Sequence, residues 1–101
     1  MKLLIVTCVK ECKDDVYKLF KQANINVFSA TDLVGFKNNQ TINLAEEWFA
    51  RGDEQFDSLM VFSFTADENA ERGLELFKNY NETHTPDFPV RAFMLPVEKF
   101  I

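Results

Sequence analysis

The chain has 101 residues, 47% of them apolar, eleven of them phenylalanine, and a formal net charge of −5. That length gives a single domain, residues 1–101, with one hydrophobic core. The acidic balance, with lysines scattered among acids, excludes a surface built to neutralise nucleic-acid phosphates or anionic lipid. No stretch approaches the ~18 apolar residues of a membrane span. Met1-Lys2 leads into a short apolar run with no small-residue cleavage pattern behind it, so no secretory signal is read. The expectation is a cytoplasmic protein that does not insert into a membrane, with Cys8 and Cys12 reduced.

Residues 3–9, LLIVTCV, read as a strand. Asp14 and Asp15 suit the first turn of a helix, and Val16, Leu19, Phe20 and Ala23 form its apolar stripe. Residues 27–36 read as a second strand closed by Gly35. Residues 37–55 are the least regular part, with a short helix in NLAEEWFARG stopped by Gly52. SLMVFSFT (58–65) is the third strand. Thr65 or Asp67 is placed to cap a second helix with the stripe Ala70, Gly73, Leu74 and Phe77. Residues 79–89 carry turn chemistry, and VRAFML (90–95) is the last strand.

The order β-α-β-β-α-β predicts an α+β, ferredoxin-like domain: a four-stranded antiparallel sheet with both helices on one face. The other face of a lone domain of this kind should be polar. Here Leu3, Ile5 and Val9 alternate with Leu4, Val6 and Cys8, and Met60, Phe62 and Phe64 alternate with Leu59 and Val61. Both faces are apolar, which predicts that the open one packs against other subunits or under the 37–55 segment.

The opening strand MKLLIVTC, the KDDV helix ending in Ala23-Asn24-Ile25, TDLVGF at 31–36 and the closing FMLPVEKFI resemble the nitrogen-regulatory PII family and its wider PII-like superfamily. The helix ending stands where that family has A-G-I, TDLVGF where it has T-E-V-x-G-F, and FMLPVEKFI where it has F-V-L-P-V-E-E-V-I. The resemblance implies a homotrimer that binds a small molecule in clefts between subunits, and a regulatory protein rather than an enzyme. It also implies a loop after the second strand, the T-loop, that contacts a partner such as a membrane transporter. Carried onto this sequence, it places the ligand at Ser29, Gly35, Phe36, Lys37, Asn39 and Arg91, and the partner contact at Glu46, Trp48, Phe49 and Arg51.

The departures are specific. Where the family holds nucleotide phosphates with G-x-G-K, this chain has Phe88-Pro89-Val90-Arg91, and only the basic residue survives. The loop is shorter and lacks the family's signal tyrosine. These differences count against nucleotide binding in the usual way and leave the ligand open, a transition metal included. The short loop is closer to small PII-like companions of metal efflux and to a cation-tolerance branch.

Cys8 and Cys12 have soft thiol ligands, but their spacing matches no zinc motif, and buried structural cysteines are the alternative. His84, beside Glu82 in a polar turn, is either a solvated surface residue or a metal ligand joined by groups from elsewhere. Arg91, flanked by apolar residues, needs an acid such as Asp32 or Glu98, or an anionic ligand. Trp48 and Phe49 either dock on the core or form an interaction loop. A small-phosphate hydrolase using Arg91 with Asn38 or Asn39 is the enzymatic alternative, without the Gly-rich anion loop such a site would want.

Overall fold

A computed structural model describes residues 1–36 and 55–101. Strand β1 (Lys2–Val9) runs into a 3₁₀ turn (Lys10–Cys12) and helix α1 (Lys13–Gln22). Strands β2 (Ser29–Phe36) and β3 (Gln55–Thr65) follow, then helix α2 (Asp67–His84) and strand β4 (Arg91–Pro96). The strands form one sheet in the order β2-β3-β1-β4, and every neighbouring pair is antiparallel. This is the predicted ferredoxin-like arrangement, with β2 and β4 at opposite edges.

The core lies between one sheet face and the two helices. Leu4, Val6 and Cys8 of β1 and Leu59 and Val61 of β3 alternate onto that face. Val16 and Phe20 of α1 and Ala70, Phe77 and Tyr80 of α2 close over them. Phe20 stands at the centre, its ring 5.0 Å from Phe28 and 5.7 Å from Phe77 by centroid. Gly73 lets α2 lie close to β1: a Cβ there would meet Leu4 Cδ2 at 2.9 Å.

The end of α1 explains the Ala23-Asn24-Ile25 signature physically. Asn24 takes a left-handed conformation (φ 66°), which Asn tolerates better than most residues. Its N–H donates to the Lys21 carbonyl at 2.9 Å, and the Ile25 N–H reaches back to the Phe20 carbonyl at 2.9 Å. That pair of bonds is a Schellman stop, and it turns Ile25 into the core.

Several boundaries differ from the sequence reading, among them β3, which begins at Gln55 rather than at residue 58. Helix α2 continues to His84 through the supposed turn, because the stripe carries on to Tyr80, which is buried. Packing outweighs the weak helix propensity of Asn79, Asn81 and Thr83. The residue before α2 is Ala66, with no side-chain cap. Thr65 is still paired in β3, and Asp67, already helical, instead holds the Met1 ammonium at 3.0 Å. That ammonium keeps the Asp67 carboxyl below its ordinary range. Strand β2 begins at Ser29 rather than at residue 27, since the Val27 carbonyl accepts the Ser63 hydroxyl at 2.7 Å outside the ladder.

Candidate functional site

The face turned away from the helices carries the most informative pattern. Leu3 lies between Phe64 and Leu95, Ile5 between Phe62 and Phe93, and Thr7 between Met60 and Arg91. Two apolar rows therefore give way to a row with Thr7 and Arg91 at the start of β4. Phe64 is 59% exposed and Leu95 43%, while Leu3, Ile5, Met60, Phe62 and Phe93 are half-buried. Thr7 is buried, and among the described residues its Oγ1 has no hydrogen-bond partner. A hydroxyl left that way costs about 1–3 kcal/mol. The sequence reading assigns Thr7 no role, although a lone Thr in LLIVTCV is the available signal.

Arg91 opens β4 directly opposite Thr7 on β1. Its position is set from α2. Asn81 Nδ2 donates to the Val90 carbonyl at 2.7 Å, and the Val90 N–H donates to Asn81 Oδ1 at 3.0 Å. One amide thus acts as a strand neighbour for the residue before Arg91. Asn81→Ala is expected to cost about 1–3 kcal/mol in urea unfolding, with faster hydrogen exchange at Val90. An unchanged Val90 exchange rate would reject this anchoring role.

Within one chain the described ligand residues Ser29, Gly35 and Arg91 are not brought together. Ser29 and Gly35 pair with Phe62 and Phe56 on edge strand β2, and Arg91 lies on edge strand β4. Three interstrand steps separate the two edges, roughly 14 Å. Asp32, a candidate partner for Arg91, is on the far edge, 3.4 Å from Lys10 Nζ. Phe36 ends β2, paired with Gln55. Lys37, Asn38, Asn39, Glu46, Trp48, Phe49 and Arg51, and the helix expected before Gly52, lie outside the described residues.

The metal set Cys8, Cys12 and His84 is not assembled. Among the described residues no group of three or more His, Cys, Asp or Glu side chains is placed to hold a metal ion. His84 stacks on Tyr80 with centroids 4.3 Å apart, and its Nδ1 lies 3.2 Å from the Tyr80 carbonyl. Tyr80 donates its hydroxyl to Asp15 Oδ2 at 2.8 Å. Burial, with a smaller effect from Cys12, pushes the Cys8 thiol up to about 12, and burial followed by the Asp15 bond raises Tyr80. Cys8 is thus a neutral core group.

Two results follow. A thiol reagent should modify half-buried Cys12 in the native protein, and Cys8 only on unfolding. Because Cys8 titrates higher folded than unfolded, its contribution to stability is complete below about 9 and is lost as pH rises through about 12. Urea midpoints measured across that window should fall, and less steeply in Cys8→Ala. Equal slopes would show that the thiol does not carry the effect.

No protein-family model matches this sequence, and no curated protein matches it. By structure the chain is similar to a PII-like signalling protein from Thermus thermophilus, with a TM-score of 0.63 and 13% identity over 92% of this chain and 82% of that one. That likeness shows the fold, the ferredoxin-like four-stranded sheet with two helices described above. No helix among the described residues is long and apolar enough to cross a membrane.

Proposed function

We propose that this chain is a cytoplasmic, non-enzymatic regulatory protein of the PII-like kind. It assembles as a trimer through its open sheet face and binds a small ligand between neighbouring subunits. The observation that carries the reading is the row Met60-Thr7-Arg91: a buried hydroxyl with no hydrogen-bond partner among the described residues, in register with an arginine, next to the apolar rows Phe62-Ile5-Phe93 and Phe64-Leu3-Leu95. A neighbouring subunit that brings its β2 edge against this β4 edge would supply Ser29 and Gly35 to the same cleft. That explains why one chain keeps the sequence-predicted residues apart. Exposed Phe100, beyond β4, would pack on the neighbour.

The mechanism is a change in the segment joining β2 and β3. A ligand that binds one state of that segment better than another shifts its fit to a partner, such as a membrane transporter. Glu46, Trp48, Phe49 and Arg51 are the residues proposed to make that contact.

The test combines light scattering with thermal unfolding in ATP, ADP, AMP and cyclic dinucleotides, and in copper, zinc and nickel salts. A ligand at a hundred times its Kd adds about 2.7 kcal/mol, a shift of several degrees. The expected result is a trimer, and a melting-point rise with a nucleotide that is lost in Arg91→Ala would mean that the cleft binds phosphate without the missing glycines. A monomer overturns the intersubunit cleft. A shift given by metal salts alone moves the reading to a cation-responsive protein.

A further inference from the structure

A second cleft lies on the opposite side of the sheet, between α1 and edge strand β2. It has a volume of about 530 Å³, within the range of small-molecule sites. Lys10, Lys13 and Tyr17 form one wall, and Ala30, Thr31 and Asp32 the other, with buried Leu59 at its floor. Two ammonium groups face one carboxylate in a chain whose net charge is −5, so this lining is locally cationic. Tyr17 is held against Phe28, with ring centroids 5.3 Å apart, which fixes a flat aromatic surface in the wall. Lys10 and Asp32 pair across the cleft at 3.4 Å, and both are substantially exposed.

We infer that this cleft binds a small organic anion in which a phosphate or carboxylate is attached to a flat ring. The anionic group sits between Lys10 and Lys13, and the ring lies against Tyr17. Asp32 acts as a built-in competitor, since an incoming anion must take its place at Lys10. An exposed pair of this kind is weak enough to be displaced. The lining comes from α1, the turn before it, β2 and β3 of one chain, and its β2 wall borders the edge proposed to meet a neighbour, so titration of the Phe62→Lys variant tells a site complete in one chain from one that needs the assembly.

The test is a titration with phenyl phosphate, followed through backbone amide NMR shifts, with inorganic phosphate and benzoate as comparisons. Saturable shifts are expected at residues 10–17 and 30–32, and they should be lost in Lys13→Gln and unchanged in Arg91→Ala. Benzoate should move the same amides if carboxylate serves as well as phosphate, and inorganic phosphate should bind more weakly because it has no ring. Tyr17→Leu should reduce the phenyl phosphate affinity to that of inorganic phosphate. Asp32→Asn should bind several-fold more tightly, the reverse of what a merely structural ion pair would give. Circular dichroism of each variant verifies folding. Shifts that do not saturate, that persist in Lys13→Gln, or that weaken in Asp32→Asn overturn the inference. Shifts confined to the Arg91 end of β4 also overturn it, and they point to the intersubunit cleft instead.

Discussion

Replacing Phe20 with alanine is expected to remove about 3–5 kcal/mol of folding free energy, the range for a fully buried large aromatic. Phe20 is inaccessible to solvent, and it joins the Phe28 ring at 5.0 Å to the Phe77 ring at 5.7 Å. Through those contacts it fastens α1 to α2 and to the chain entering β2. A cavity there cannot collapse easily, since its walls belong to three elements tied to one sheet. A domain of this size has only about 5–15 kcal/mol in total. At about 4–8 °C per kcal/mol the melting point should fall by well over 10 °C. Urea unfolding of Phe20→Ala against wild type is the measurement. A loss under about 1 kcal/mol would mean that the helices do not pack as described.

The fold was legible because its signals are local. The apolar stripe of α1 and the alternation in β1 and β3 each follow from a few neighbouring residues, and each is present in the structure. The misread stretch at residues 79–89 shows the limit. Asn79, Asn81 and Thr83 have turn chemistry, yet Tyr80 is held in α2 by packing and by Asp15, which is 65 positions away in sequence. Nothing local records that tie. The candidate sites were less legible for the same reason. Arg91 was visible as an odd charge in an apolar run, but its neighbour Thr7 becomes informative only once the register sets them side by side. The cleft formed by Lys10, Tyr17 and Asp32 joins the turn after β1, helix α1 and strand β2, and no spacing in the sequence marks it.

If the proposed trimer forms through the open face, a lysine in place of Phe62 should convert it to single chains of 11.7 kDa while leaving the fold intact. Phe62 lies between Ser29 and Ile5 on the open face, in the row that continues to Phe93. In an isolated subunit a lysine there keeps its ammonium in water, and the helix-side core does not change. In a face-to-face assembly the same ammonium is buried without a partner, which costs about 3–5 kcal/mol. Each 1.4 kcal/mol or so is about tenfold in the association constant, so assembly should weaken by about two to four orders of magnitude. Light scattering across a dilution series reads the mass, and circular dichroism reads the fold. Lys18→Glu, an exposed change on α1, should leave the assembly intact, which separates the open face from a general charge effect. If Phe62→Lys retains the wild-type mass, the subunits meet elsewhere. The apolar rows would then need another cover, and the shared cleft of Arg91 and Ser29 would lose its basis. If the variant is monomeric and also loses the ligand-induced melting shift, assembly and ligand binding depend on the same face, as the Thr7–Arg91 row requires.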